Sequence, residues 1–249
     1  MIDFHSHILP GIDDGSKSVE ESIELLRMLS VQEVDTVVAT PHFYASDGSP
    51  EEFFERRDAS AGLLKAAMPR GLPKIFLGAE VLYYQGISGM RELGRMRIEG
   101  TRLLLLEMPV SVWSEYAIRE VENLCSGEFI VMIAHLERYI FLQKANVLER
   151  LLSSGVIMQT NASALLHFGT KRKILNMFKR GEVHLIGSDC HSIDIRPPRM
   201  QEAYSVIRKH LGDVFAEDID FYGRSFWEGY SVCDFVCGMY CMFCTCTSA

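Results

Sequence analysis

Asp3-Phe4-His5-Ser6-His7-Ile8-Leu9-Pro10-Gly11-Ile12-Asp13-Asp14-Gly15 opens the chain with a short apolar run that turns polar and then bends into an acidic loop. On a strand, residues two apart face the same way, so His5 and His7 can grip one cation side by side. A lone pair is weak evidence, because a histidine near a strand end is more often a hydrogen-bonded structural residue. The rest of the chain changes the reading. Six further apolar runs end in His42, Glu80, Glu107, His135, Asn161 and Asp189-Cys190-His191. Six of the seven endings, counting His5-Ser6-His7, are metal-ligand types. Parallel strands of a barrel all point one way, so residues at their carboxyl ends converge on one face, where a metal cluster can form from distant sequence.

The runs themselves are uniformly apolar, as in Thr36-Val37-Val38-Ala39, Leu103-Leu104-Leu105-Leu106 and Phe129-Ile130-Val131-Met132-Ile133. Such strands belong to sheets buried on both faces. Helical signals lie between them. Ser18 with Glu21 reads as a capping box, Ser49 with Pro50 and Glu52 as a second start, and 3.6-residue spacing marks helices over Trp113–Leu124, Val147–Leu152, Ile174–Phe178 and Met200–Leu211. Seven βα units joined by right-handed crossovers predict a barrel of about seven strands rather than an open sheet. No repeat, low-complexity linker or second-domain boundary appears before residue 212. The expected organisation is one barrel over 1–212, then an atypical Cys-rich tail over 213–249 that is not a separate domain.

Composition narrows the function classes. A chain of 249 residues fits one α/β barrel and can bury roughly three quarters of its unfolded surface. Net charge is −8 at pH 7, and no basic run interleaved with aromatics occurs, which excludes an electrostatic nucleic-acid footprint. A small anionic substrate stays compatible, since divalent ions make a site locally positive inside an acidic protein. Met1-Ile2-Asp3-Phe4-His5 is neither cationic nor followed by an apolar core of signal-peptide length, and no uncharged apolar stretch of about 18 residues exists. The expectation is a cytoplasmic protein without a membrane span, with an oligomer left open. Of seven cysteines only Cys125 and Cys190 precede residue 230, which is not a secreted disulfide framework.

Residues 3–15, together with Ala39-Thr40-Pro41-His42, Gly78-Ala79-Glu80-Val81, His135-Leu136-Glu137-Arg138-Tyr139, Gly187-Ser188-Asp189-Cys190-His191 and Arg196-Pro197-Pro198-Arg199-Met200, closely resemble the polymerase and histidinol phosphatase (PHP) superfamily. The resemblance is sharpest to the manganese-dependent tyrosine phosphatases of bacterial capsule operons and spans roughly residues 1–212. It implies a distorted (β/α)7, TIM-like barrel of the PHP type holding three divalent ions. It also implies hydrolysis of phosphotyrosine on a cognate bacterial tyrosine kinase and its products, regulating capsular or exopolysaccharide synthesis. Carried over by position, it gives His5, His7, Glu80 and Asp189 to a first ion. Glu80 would bridge to a second ion on Glu107 and His135, and Asp14, His42 and His191 would hold a third. Manganese is implied by the resemblance alone, because imidazole and carboxylate ligands suit Mn, Fe, Mg or Zn alike.

Arg138 and Arg196 lie in strand-end loops and are the candidates for forked donors to phosphate, and the resemblance points to the same two positions. Their bland alternative is a surface salt bridge, and Glu137 is read either as a partner of Arg138 or as support for a ligand. Phe43, Tyr44, Tyr83, Tyr84 and Trp113 are candidates for a wall against a phenyl ring, although aromatics beside strand ends usually cover the core. Cys190 and Arg196 spell C-x5-R, the pattern of cysteine-dependent tyrosine phosphatases. A thiolate cradle needs small residues whose backbone N–H groups point inward, whereas His191, Ile193, Asp194 and Ile195 bring bulk and an anion, so the pattern reads as coincidence. Cys233, Cys237, Cys241 and Cys244 would form a stripe on a helix, but four-thiolate sites are usually built from turns, and a short apolar surface helix or a reading-frame change is the preferred account. The alternatives to a tyrosine phosphatase are a PHP phosphoesterase for a small metabolite such as histidinol phosphate and a metal-bound module without catalysis.

Overall fold

The computed structural model describes residues 1–228, so the expected cysteine stripe of the tail lies outside the described residues. In chain order the elements are β1 (Ile2–Ser6), α1 (Val19–Val31), β2 (Thr36–Ala39), β3 (His42–Phe43), α2 (Pro50–Ala67), β4 (Lys74–Leu77), β5 (Glu80–Leu82) and β6 (Leu103–Glu107). They continue with α3 (Glu115–Ser126), β7 (Ile130–Ile133), α4 (Ala145–Ser153), β8 (Ile157–Asn161), α5 (Phe168–Lys179), β9 (Leu185–Gly187), α6 (Met200–Leu211) and α7 (Asp213–Glu228). Every strand pairing is parallel.

Among the described residues nine short strands make seven limbs. Thr40-Pro41 interrupts the run β2–β3, and Gly78-Ala79 interrupts β4–β5, so each pair is one strand bent in the middle. A proline has no N–H for a ladder, which accounts for the first break, and the Pro41 carbonyl instead accepts from Glu80 N at 3.0 Å. The sheet then curls until its ends meet. Asp189 N donates to the His5 carbonyl at 2.7 Å and His7 N to the Cys190 carbonyl at 2.9 Å, which sets β9 beside β1. The result is the expected (β/α)7 barrel of the TIM-like kind, and its distortion is visible in the short 3-10 turns Ile87–Gly89 and Arg91–Met96 that stand where a helix between β5 and β6 would be.

Alternation sorts each strand into two layers. On β6, Leu103 and Leu105 join Met132, Ala134, Ile157 and Leu185 in an inner apolar cluster, while Leu104 and Leu106 face the helices. Glu107 comes next on the inward face, above Leu105. Helix starts follow their caps. Ser49 and Glu52 form a complete capping box at α2 with Pro50 in the first turn. At α1 the Ser18 hydroxyl accepts from Glu21 N, but the Glu21 carboxylate accepts from Lys17 N rather than from Ser18, so only half of the expected box forms.

Helix α7 begins one residue past the boundary placed at 212 and belongs to the packed unit. It crosses the end of the barrel opposite the histidines: Trp227 Nε1 donates to the Glu99 carbonyl at 2.9 Å, Arg224 pairs with Asp35 at 2.6 Å, and Gly223 lies against the Phe4 ring. Asp35 and Glu99 precede β2 and β6, so the contacts fix α7 at the amino-terminal mouth. A Cβ on residue 223 would come 2.7 Å from Phe4 Cε2, so only glycine allows this approach. No described helix is long and apolar enough to cross a membrane.

Candidate metal centre

All nine candidate ligands meet at the carboxyl-terminal mouth of the barrel. Glu80, at the start of β5, sits in the middle with its two oxygens facing different partners. Oε1 lies 2.8 Å from His135 Nε2, while Oε2 lies 3.2 Å from His5 Nε2, 3.3 Å from His7 Nε2 and 3.0 Å from His42 Nδ1. Glu107 Oε1 completes one side at 3.3 Å from His135 Nε2. Asp189 Oδ1 completes another at 3.6 and 3.5 Å from the Nε2 atoms of His5 and His7. The exposed Asp14 brings Oδ1 to 3.3 Å from His42 Nε2 and 3.4 Å from His191 Nε2. Six of the seven limbs or their loops contribute.

These spacings fit cations better than hydrogen bonds. His42 Nδ1 and His191 Nε2 are buried without a hydrogen-bond partner, although carboxylate oxygens lie 3.0 and 3.4 Å away. His5 Nε2 and His7 Nε2 face each other at 3.1 Å. Two ligands held about 2.1 Å from one ion at a right angle are about 3 Å apart, and the tetrahedral value is only a few tenths larger. The metal-ligand groupings His5-His7-Glu80, His42-Glu80-Glu107 and His7-Asp14-His42-His191 each have their donor atoms within 4.8 Å of one another. The donor set is neutral nitrogen and anionic oxygen without thiolate, which suits borderline and hard divalent ions.

Electrostatics point the same way. Burial pushes the His7 imidazole down, but Asp13 and Glu80 outweigh it and carry it up to about 10. Burial likewise lowers His135, and Glu107 and Glu80 carry it up to about 9. Burial raises Glu80 and Asp189, yet the facing imidazoles hold Glu80 well below the carboxylate range and Asp189 at about 2. Burial and the neighbouring His7 instead push His191 down to about 4, so the protons that metal binding would release here sit on His7 and His135.

Supporting residues lock the ligands in place, and sequence reading missed most of them. Asp13 Oδ2 is 2.8 Å from His7 Nδ1 and accepts from His42 N at 3.0 Å, while its Oδ1 accepts from Gly15 N at 2.9 Å. Gln159 Oε1 accepts from His135 N at 2.7 Å and lies 3.4 Å from His5 Nδ1. The Tyr139 hydroxyl donates to the Met108 carbonyl and sits 3.2 Å from His135 Nδ1. Asn161, the one strand ending of non-ligand type, donates Nδ2 to Asp189 Oδ2 at 2.6 Å. The signal was present in Gln159-Thr160-Asn161, a polar end on an apolar strand. In Asp13-Asp14 both acids face histidines, and no local pattern separates the one that supports His7 from the one that meets His42 and His191. His135 and Asp189 hold positive φ of 34° and 52°, a backbone cost of about 1–2 kcal/mol each that recurs where a site fixes its groups.

Two guanidiniums lie over the same cluster. Arg196 Nη2 donates to Asp189 Oδ2 at 2.6 Å, and Arg138 donates to that oxygen at 3.4 Å and to Glu107 Oε1 at 3.0 Å. Both are partly exposed, so each retains N–H groups directed to solvent. Glu137 pairs with neither; it accepts from the Thr160 hydroxyl and Asn161 N and so fixes the end of β8. Among the candidate aromatics, Tyr44 flanks the centre, with its ring stacked on His42 at 5.0 Å and 21°. Phe43 and Trp113 are buried, and the Tyr83 hydroxyl donates to Glu120 at 2.8 Å. Cys190 is fully buried, and burial pushes its thiol far up, which removes it as a nucleophile.

A family model described as capsular polysaccharide synthesis, CpsB/CapC, matches residues 1–224. This chain belongs to the CpsB/CapC family. The putative tyrosine-protein phosphatase CapC of Staphylococcus aureus is 33% identical over 214 residues, 82% of each chain. The tyrosine-protein phosphatase CpsB of Streptococcus pneumoniae is 32% identical over 232 residues, 88% of this chain and 94% of that protein. A solved structure from work on YwqE of Bacillus subtilis and CpsB of Streptococcus pneumoniae, described as unique metal-dependent tyrosine phosphatases, superposes with a TM-score of 0.80 at 25% identity. It covers 93% of this chain and 96% of that one. Histidinol phosphate phosphatase of Lactococcus lactis, at 15% identity and a TM-score of 0.50, shares the fold. The match through residue 224 takes in most of α7, as its packing against β1 requires.

Proposed function

We propose that this CpsB/CapC family member is a metal-dependent protein-tyrosine phosphatase holding three divalent cations. The observation that carries the reading is the meeting of nine imidazole and carboxylate side chains around the central Glu80. The relatives named as tyrosine-protein phosphatases, similar over more than four fifths of the chain, support it. His5, His7, Glu80 and Asp189 would hold the first cation, Glu80, Glu107 and His135 the second, and Asp14, His42 and His191 the third. Manganese is the metal that the sequence resemblance implies, and the same donors would accept iron, magnesium or zinc.

Divalent ions held by these residues would supply a hydroxide near neutral pH and charge stabilisation for in-line displacement at phosphorus. The chain supplies the rest. Arg138 and Arg196, both tethered to Asp189 Oδ2, present their remaining N–H groups to the phosphoryl oxygens as forked donors. Asn161 donates to that same Asp189 oxygen, and Glu137 fixes Asn161 through its backbone N–H. The leaving group is a phenol with pKa about 10, so a strongly acidic proton donor is not required. The physiological substrate is a phosphotyrosine-bearing protein, a cognate bacterial tyrosine kinase and its products in capsular polysaccharide synthesis, and the site of action is the cytoplasm.

The test measures hydrolysis of a phosphotyrosyl peptide and of histidinol phosphate by the manganese-loaded protein. A preference for the peptide, lost with a chelator and in His42→Ala, is the expected outcome; a large preference for the metabolite overturns the reading in favour of a small-molecule phosphoesterase.

A further inference from the structure

Tyr44 is the one aromatic beside the centre whose hydroxyl has no assigned work. It follows His42 by two positions, one residue past the end of β3. Its half-buried ring lies nearly parallel to the His42 imidazole, and it lines a cavity of about 310 Å³ together with Asp13, Asp14 and His42. The hydroxyl makes no hydrogen bond among the described residues. It nevertheless lies within electrostatic reach of Glu107, Glu80, Asp14 and Asp13, which reinforce the upward push of burial on the phenol. Glu107 is also the carboxylate that accepts from Arg138 at 3.0 Å. Glu107 thus lies near both Tyr44 and the Arg138 guanidinium, although Arg138 does not line the cavity beside Tyr44.

We infer that Tyr44 touches the substrate, donating a hydrogen bond from its hydroxyl to the phenolic oxygen that leaves, with the cavity beside it receiving the substrate's ring. The inference rests on the phosphatase reading above. In-line displacement puts the leaving oxygen opposite the attacking one. The attacking oxygen belongs at the floor, among the buried ligands, so the leaving oxygen faces the rim, where Tyr44 stands. The oxygen of water forms the new P–O bond while the ester P–O bond breaks and its electron pair stays on the phenolic oxygen. Negative charge grows there, and a neutral donor already in place strengthens its hydrogen bond as it does so. Tyr44 keeps its proton throughout; the water's proton passes to solvent, and the departing phenolate takes one from solvent. The two arginines, held by Asp189 and Glu107, remain for the non-bridging oxygens.

The deciding variant is Tyr44→Phe, which keeps the ring and its stacking on His42. Metal-loaded wild type and variant are compared on phenyl phosphate and on 4-nitrophenyl phosphate, whose nitro group draws charge off the leaving oxygen and makes it a weaker hydrogen-bond acceptor, with metal affinity measured alongside. Expected are a loss in kcat/KM of about 10- to 100-fold on phenyl phosphate, the range of one hydrogen bond to a charged group. The nitrophenyl ester should lose less than threefold, and metal affinity should change less than twofold. Equal losses on both esters, no loss on either, or a loss matched by weaker metal binding would each overturn the inference. If the wild type hydrolyses neither ester, the phosphatase reading beneath it fails instead.

Discussion

Asp13 is the residue on which support of the metal centre can be tested without touching a ligand. Its carboxylate holds the His7 ring at 2.8 Å, the His42 backbone at 3.0 Å and the Gly15 backbone at 2.9 Å, so one side chain orients two candidate ligands. Asp13→Asn preserves size and removes the charge. Carboxylates that hydrogen-bond the far nitrogen of a ligating imidazole typically contribute 10- to 100-fold to metal affinity, or about 1.4–2.7 kcal/mol. Proton competition works in the opposite direction. His7 is carried up to about 10 in the metal-free protein by Asp13 and Glu80, so a cation must displace a proton at neutral pH. Wild-type affinity therefore rises with pH across 6.5–8.5, about tenfold per unit for one displaced proton. In Asp13→Asn the imidazole is less basic, so the slope flattens while the affinity at the alkaline end drops by the full 10- to 100-fold. Calorimetric titration of the stripped protein with zinc or manganese at several pH values reads both quantities. Unchanged affinity and slope in the variant would refute the reasoning, because His7 would then not need the Asp13 contact.

Three further outcomes follow from the same geometry. His184 is held at about 4 by burial, whereas an unfolded histidine titrates near 6.5; the unfolded chain therefore binds the extra proton first, and stability falls as pH drops from about 6.5 to 4 by up to about 3 kcal/mol. His184→Gln should flatten that part of a melting-temperature profile, and an identical profile would remove His184 as the cause. In Gly187→Ala the new Cβ would lie 2.4 Å from His5 Cβ and 2.8 Å from Gln159 Nε2, so a destabilisation of about 1–3 kcal/mol and weakened metal binding are expected in melting and titration experiments. Cys190→Ser should retain most hydrolysis per bound metal while chelation abolishes it, and the reverse result would restore the thiol as nucleophile.

The legible part of this sequence was periodic. Runs such as Leu103–Leu106 declare a strand buried on both faces, the polar residue that closes each run declares its carboxyl end, and the parallel barrel then forces those ends together. His5, Glu80 and Asp189, nearly two hundred positions apart, could be grouped this way because convergence is a property of the architecture and not of any local contact. Caps were equally readable at Ser49, where hydroxyl and carboxylate answer each other within four residues. The bends at Thr40-Pro41 and Gly78-Ala79 split strands that read as continuous, since hydropathy does not register a kink. Helix α7 was hidden by its junction with the cysteine-rich stretch. Its docking depends on Gly223 leaving room for Phe4 and on Trp227 reaching Glu99, contacts over 128 to 219 positions that no local pattern carries.

The supporting residues were the least legible, and the reason is geometric. A ligand must be His, Asp or Glu, so its residue type is a signal, whereas the group that orients it needs only an acceptor or donor at the right distance. Asp13, Gln159, Asn161 and Tyr139 meet that need with three different functional groups, a carboxylate, two carboxamides and a phenol. Asn161 shows how the two categories interlock. It ends β8 where the neighbouring strands end in ligands, and from that position it donates at 2.6 Å to the oxygen of Asp189 that also receives both arginines. That oxygen collects three donors, which leaves Oδ1 as the face turned to His5 and His7. One carboxylate thereby divides its work, with one oxygen on the side of the cations and the other fixing the groups that would meet the phosphate. A neutral donor at position 161 suits this division, because a carboxylate there would repel Asp189 and compete with it for the arginines.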